Sequence, residues 1–539
     1  MLSPNTTFER NASIAAILDG QYDNIRYNLA GLRESQYSPG NWLSPPIDGD
    51  CASSGLIWGT WCRSADLVRA KGWTWGESVS AIGYYFAQEI TDRLVAAGQS
   101  AVPIGLIHIP IGGTVIEEWA SFETAAQCIN ATCLCAQPGC NSTQPLNAAN
   151  CTNSTGNMGA NGVLYHSQVE GLVNQTIAGW LWLQGENSAA MDAGNVLDGT
   201  GYACILRQMV QDWRAIWSVT PGTTSPSAPF YVFDLADGTD EGNGDNMGSL
   251  RWALTANYGT LPSPSMPNTY HASAVDQGDP WDGYICYVNS CCVPTSYAHG
   301  GQCDGDHRGE WDNVTTPFYM NQLHPRPKQV LAKRGAQAAL ATMYGLGGPA
   351  AGPVLAGCRL SGATLTLIFN ASLLAGETVA VSKPPGAAPM SLALDNSALH
   401  LLVNASLPAD AAANHRKQQH SYLGPFANGN ELGVTGWVAA IPSANGDTTV
   451  SVDLAHLNGL VPTAVRYAFG EGGVNGAGPG AGYPSRVCCG PSVNIERAPC
   501  PMGACPIRAS GPSALPAEPF VARIVGGACE CLAPQQCGA

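Results

Sequence analysis

Charge is what this sequence has least of. Only 12% of the 539 residues are charged, and the basic ones are the scarcer half, 24 against 40 acidic, for a net charge of −16. That balance argues against a nucleic-acid binder, which needs a basic face to meet phosphates. The same balance disfavours docking on an anionic membrane. No apolar run reaches the ~18 residues that a membrane-spanning helix needs. No internal repeat of solenoid length is present. The cysteines form no paired CxxC pattern and have no histidine at zinc-finger spacing, which argues against structural zinc. Nor does a signal peptide follow Met1: Ser3, Pro4, Asn5 and Thr6 are polar, with no charged n-region and no apolar h-region.

Cysteine itself is plentiful, at 20 residues. Groups fall at Cys128–Cys151, Cys286–Cys303, Cys488–Cys505 and Cys529–Cys537. In glycine- and proline-rich surroundings these read as disulfides. Ten N-x-S/T acceptors accompany them, at Asn5, Asn11, Asn130, Asn141, Asn150, Asn153, Asn174, Asn313, Asn370 and Asn404. Together they point to the secretory pathway, with an extracellular or lysosomal destination. A secreted body that opens without a signal carries the expectation that the start of the protein lies upstream of Met1.

Hydrophobic residues make up 45% of the chain, enough for sizeable cores, and the length implies more than one domain. Val102–Ile109, Gly179–Leu183, Phe230–Leu235 and Thr269–Val275 are short apolar runs of the kind found in buried parallel strands. Between them lie helical patterns over Ser78–Ala97, Tyr202–Trp217 and Lys328–Tyr344. Alternating strands and helices predict an α/β domain over residues 1–346, a parallel sheet with helices on both faces. Past Gly345 the pattern changes. Leu360–Phe369, Thr378–Val381, Thr448–Leu454 and Ala464–Phe469 read as strands between turns, so 347–539 is expected to be a β-rich C-terminal domain. Two cysteine-rich insertions, near 122–158 and 283–316, interrupt the first domain.

Open α/β sheets bind ligands at the carboxyl ends of their strands. Three segments fall there. Gly112 and Gly113 follow the first apolar strand and can turn backbone N–H groups toward a developing oxyanion, though a plain turn has the same composition. Gln184, Glu186 and Asn187 follow the second; the amides can donate to an oxyanion and the carboxylate can orient a neighbour, or the group is a polar helix cap. His324, in a loop after Asn321, has the chemistry of a general base toward a serine, although a lone loop histidine is more often structural. Asp276, after the fourth strand, is a candidate orienting carboxylate with an ordinary capping role as its alternative.

These blocks, in this order, resemble the sialate O-acetylesterases of the SGNH/GDSL hydrolase superfamily. VPIGLIHIPIGGTVIEEW is similar to the family's PIGLI…GGTPIEAW block, and GWLWLQGENS to its WYQGES block. LRWALTANYG…MPNTY ahead of Asp276, LHPRPKQ ahead of a helix, and PSALPAEPF near the end match further stretches in the family's order. The resemblance implies a flavodoxin-like SGNH sheet. It also implies a carbohydrate O-acetylesterase that frees acetate from O-acetylated sialic acids through a serine acyl-enzyme, with no metal or other cofactor. His324 then takes the place of the base, and Gly112, Gly113, Gln184, Glu186 and Asn187 line the oxyanion and substrate site. Asp276 and Asn321 compete for the orienting role.

The chain departs from the family at its start. MLSPNTTFERNASIAAI looks like the segment that follows GQSN, so the nucleophile is expected just ahead of Leu2, and the chain itself is expected to be inactive or weakly active. The single internal GQS, Gly98-Gln99-Ser100, precedes a strand instead of following one and is read as a chance match. The QGE block also reads Glu-Asn-Ser where the family has Glu-Ser-Asn. Two alternatives stand beside the esterase reading: a non-catalytic carbohydrate-binding pseudoenzyme, and an esterase of the acetylxylan type. A weaker one makes the cysteine-rich loops an extracellular interaction surface. The 283–316 insertion, just upstream of His324, is a candidate lid.

Overall fold

The computed structural model describes residues 10–29, 61–66, 80–128, 161–191, 201–236, 250–277, 286–287, 290–291, 328–382, 399–404, 435–468 and 505–531. The N-terminal half is α/β. Strand β1 (Ile25–Leu29) lies between β2 (Trp61–Arg63), antiparallel to it, and β3 (Ile104–His108), parallel to it. A second sheet holds β4 (Trp180–Leu183), β5 (Phe230–Phe233) and β6 (Thr269–Ala272), all parallel.

The four apolar runs read from the sequence are thus strands, each shorter at one end or both. The IRYNL strand β1 was not among them, because its mixed polar pattern gives no apolar run. Another difference is that the expected sheet comes in two three-stranded pieces, with a cavity of about 510 Å³ between β3 and β4. Side-chain alternation explains which piece holds β4. Trp180 and Trp182 project to one face, where Trp180 stacks on Phe230 at 5.8 Å and Trp182 meets Trp213 edge-on at 5.9 Å. Leu181 and Leu183 face the opposite layer. The tryptophans therefore bind β4 to β5 and to the helix carrying Trp213.

Helices cover both faces. Helix α1 (Ala81–Ala96) starts where the Ser80 hydroxyl accepts the Gly83 N–H, the N-cap role that serine fills well. Gly83, Ala87, Ile90 and Leu94 recur on one side and are buried. Full burial of an Ile or Leu side chain contributes about 1.5–3 kcal/mol. The helix packs beside α2 (Lys328–Thr342), which comes so close to β5 that a Cβ on Gly335 would sit 2.5 Å from the Phe233 ring. On the other face lies α3 (Gly201–Trp217), with Ile205, Leu206, Met209 and Trp213 buried. A disulfide, Cys128–Cys204, ties it to the helix Phe122–Cys128 at the edge of the first cysteine-rich region.

Beyond Thr342 no strand is parallel among the described residues. Nine antiparallel strands form one sheet in the order Thr435–Ala439, Leu399–Asn404, Pro462–Tyr467, Phe520–Val525, Ala528–Cys531, Leu355–Ser361, Thr364–Phe369, Thr449–Asp453 and Pro442–Gly446. The stretch Leu360–Phe369, read from sequence as one strand, holds the end of one strand, a turn and the whole of the next, because Gly362 takes a left-handed φ of +57° and reverses the chain. Where the last strand meets Leu355–Ser361, a single residue pair in register is reinforced by the Cys358–Cys529 disulfide.

The two halves share buried polar contacts. Arg251 donates to the carbonyls of Ala236 and, at 3.4 Å, of Ala468 in the β domain. Asp234, at the end of β5, faces Arg251 at 3.6 Å with both side chains fully buried. Burial pushes the Asp234 carboxyl above its ordinary range, against the pull of Arg251 and His271. No helix among the described residues is long and apolar enough to cross a membrane.

Candidate active site

Strands β3 and β4 run parallel to β1 and β5 respectively, and each ends in one of the turns singled out from sequence. Four hydrogen bonds lock these turns. The Gln184 amide Nε2–H donates to the Thr114 carbonyl at 2.8 Å and to the Ser188 hydroxyl at 3.3 Å. That hydroxyl also accepts the Ile116 N–H at 3.4 Å. Behind them the Trp119 indole N–H donates to Thr114 Oγ1 at 2.9 Å.

The consequence is a close approach at the rim. A Cβ on Gly113 would lie 3.9 Å from Asn187 Nδ2. Gly113 is exposed, Gly112, Glu186 and Asn187 are half-buried, and Gln184 is buried. Neither Gly112 nor Gly113 spends its backbone N–H on another backbone carbonyl among the described residues. Both amide hydrogens of Gln184 are committed to the tie, so Gln184 braces the turns. Its Oε1 has no hydrogen-bond partner among the described residues. The Gln184 carbonyl is held in turn by the buried Tyr202 hydroxyl at 3.2 Å.

Asp276 follows β6 and is buried. Both its oxygens are taken by Arg334, at 2.6 and 2.8 Å, and Arg334 also donates to the Ser273 carbonyl. Burial opposes the charge on Asp276, but the Arg334 guanidinium prevails and holds the carboxyl below its usual range. Since Arg334 is on α2, the pair fastens the helix whose first residue, Lys328, stands four positions after His324. His324 and Asn321, most of both cysteine-rich insertions and the prolines before α2 lie outside the described residues.

Ser100 is exposed and precedes β3, at the amino end of that strand. A five-residue strand, about 17 Å long, separates it from the Gly112–Gly113 turn. Among the described residues no His, Cys, Asp and Glu side chains are grouped to hold a metal ion. Sequence reasoning missed Ser188 and Arg334. Ser188 is four residues from Gln184 and one after Asn187, a helical spacing that offered a weak signal; nothing local marked Arg334 as the partner of a residue 58 positions away.

No family model matches the sequence. Sialate O-acetylesterase of Mus musculus is 28% identical over 282 residues, which take in 50% of this chain and 43% of the mouse protein. Sialate O-acetylesterase of Homo sapiens is 27% identical over 269 residues, again 50% of this chain and 40% of the human protein. The chain thus spans about two fifths of the length of these relatives. A crystal structure of a carbohydrate acetylesterase from Xanthomonas citri superposes with a TM-score of 0.52 at 18% identity, over 96% of this chain and 77% of that one, a likeness of fold. Over half its length the chain is thus similar in sequence to sialate O-acetylesterases.

Proposed function

We propose that the chain carries the acid–base and oxyanion side of a carbohydrate O-acetylesterase, with an SGNH-type domain up to about Leu346 and O-acetylated sialic acid as substrate. The observation that carries this reading is the juxtaposition of Gly113 with Asn187 Nδ2 across the two strand-end turns. Peptide N–H groups and a primary amide, held by Gln184 and Ser188, are what a tetrahedral acyl-transfer intermediate requires around its oxygen. His324 is the general base, Asn321 is the neighbour able to orient it, and Glu186 shapes the sugar side of the opening. Asp276 acts through Arg334 by fixing α2. The attack is by a serine hydroxyl; acetate leaves the acyl-enzyme when water, deprotonated by the same imidazole, adds to it. No residue of this chain is assigned as the nucleophile, and the position of Ser100 at the wrong end of β3 speaks against it. The disulfides Cys128–Cys204 and Cys358–Cys529 support synthesis in an oxidising compartment, secreted or lysosomal.

The test is acetate release from O-acetylated sialic acid. The protein is expected to bind the O-acetylated sugar, and the turnover it shows is expected to be lost with His324→Ala. Turnover that disappears with Ser100→Ala would overturn the assignment. Sugar binding without any acetate release favours the carbohydrate-binding alternative, and preference for acetylated xylan favours the acetylxylan type.

A further inference from the structure

An acetyl group needs room for a single methyl beside its carbonyl, yet the cavity between β3 and β4 holds about 510 Å³, the size of pockets that take drug-sized molecules. Its walls follow both strands, from Ile104 to Ile111 on one side and from Gly179 to Gln184 on the other. Ile111 and Gln184 belong at once to these walls and to the two turns of the candidate active site, so the two are continuous. From Gln184 back to Trp180 the strand covers roughly 13 Å, the reach of an extended decanoyl chain. Ile104, Leu106, Ile107 and Leu181, which the middle of a sheet would bury, stay half-buried because they line this space.

Among the described residues no Asp, Glu, Lys or Arg lines the cavity. The indole N–H groups of Trp213 and Trp217 and the Tyr27 hydroxyl, all from its walls, are buried and have no hydrogen-bond partner among the described residues. A buried donor without an acceptor is costly, and a ligand oxygen relieves it. The Trp217 ring lies 5.7 Å from that of Trp180 and the Trp213 ring 5.9 Å from that of Trp182, so these donors stand along the part of β4 that leads away from Gln184.

From this geometry we infer that the cavity is an acyl pocket, and that the site accepts esters of long, uncharged acyl groups with a neutral oxygen toward the far end, such as ω-hydroxydecanoyl. The inference rests on the esterase reading and extends its substrate class. The ester carbonyl stands at the turns after β3 and β4, the chain runs back between the strands, and its terminal oxygen accepts from the Trp217 indole. Water adds at the acyl carbon, the bond from that carbon to the alcohol oxygen breaks, that oxygen keeps the electron pair and takes a proton, and the free hydroxy acid leaves. A sialic acid carboxylate finds no cation in these walls, so the cavity serves the acyl side of the ester and not the sugar.

The protein is titrated in a calorimeter with methyl acetate, methyl decanoate and methyl ω-hydroxydecanoate, and hydrolysis of the same acyl groups is followed as p-nitrophenyl esters. The hydroxydecanoate is expected to bind most tightly, with each methylene beyond acetyl worth roughly two- to fourfold in affinity. Trp217→Phe keeps a ring and loses the N–H; it is expected to remove the advantage of the hydroxy ester over the plain one, about five- to tenfold, and to leave methyl decanoate unchanged. Should that variant fail to fold, the two decanoates on the unaltered protein decide. Equal affinity for both there, or no binding beyond methyl acetate, overturns the inference. Hydrolysis of p-nitrophenyl acetate with neither binding nor hydrolysis of the decanoyl esters overturns the pocket and leaves the esterase reading standing. Tight binding of the hydroxy ester with no hydrolysis of any ester supports the pocket and counts against the esterase.

Discussion

His271 and Glu518, 247 positions apart, meet at 2.6 Å between Nδ1 and Oε2 in the buried junction of the two halves. His271 is on β6 of the α/β half; Glu518 precedes the strand Phe520–Val525 of the antiparallel sheet and also receives the Gly352 N–H on Oε1. Burial works to lower the imidazole pKa, and Asp234 and Arg251 also face the ring, but Glu518 prevails and the His271 pKa is raised.

A raised folded-state pKa makes the junction pH-sensitive in a fixed direction. Its stabilisation is complete below the unfolded histidine value, about 6.5, and is lost as pH climbs through the higher folded value. Asp234, also raised, has the same sign at lower pH. The thermal midpoint is therefore expected to fall as pH rises from about 6.5 toward alkaline. In Glu518→Gln that dependence flattens. An unchanged slope in the variant shows that His271 does not titrate with unfolding.

The Asp276–Arg334 pair predicts a different asymmetry. Arg334→Met leaves a buried carboxylate uncompensated and is expected to cost about 3–5 kcal/mol in denaturant unfolding. Asp276→Leu combined with Arg334→Met removes both charges and costs less than the single variant. The depressed Asp276 carboxyl has the opposite pH sense to His271: its stabilisation is present above the unfolded aspartate value, about 3.9, and is lost as pH falls below it. The single variant should therefore lose part of the acid sensitivity near that pH.

Gly335 marks where α2 touches the sheet. Gly335→Ala places a methyl 2.5 Å from the Phe233 ring, so helix propensity and packing oppose each other. Overpacking is expected to win, with a net loss of about 1–3 kcal/mol. A stabilised variant by calorimetry shows that the ring yields.

At the rim, Asn187→Ala is expected to lower kcat by about 10²–10³ with little change in KM, as loss of an oxyanion donor does. Ser188→Ala frees the Ile116 N–H and one Gln184 hydrogen without touching substrate, and is expected to act in the same direction by a smaller factor, with Ser188→Thr recovering part of it. An effect confined to KM places these residues in sugar binding instead.

The elements that position the site were legible where one physical signal dominated. Apolar runs such as FYVF and the buried faces of α1 and α3 gave strands and helices near their observed limits, because burial on a sheet fixes side-chain period. Leu360–Phe369 misled because apolar residues on both sides of Gly362 read as a single run, and only the turn conformation divides them. Strand β1 was missed because IRYNL alternates polar and apolar residues and so gives no apolar run. Of the site, the glycine and QGEN turns were legible as strand-end segments, and the structure adds that the Gln184 amide braces them.

The sequence by itself determined the charge balance, the alternation of strands and helices, the change to antiparallel β structure and the oxidising chemistry of the cysteines, all properties of local composition and period. Only the tertiary structure decided that Gln184 spends its amide on Thr114, that Asp276 belongs to Arg334, and that His271 finds Glu518. Those pairings join residues far apart in the chain, and burial, which leaves a polar group no water to turn to, selects partners that local pattern cannot name.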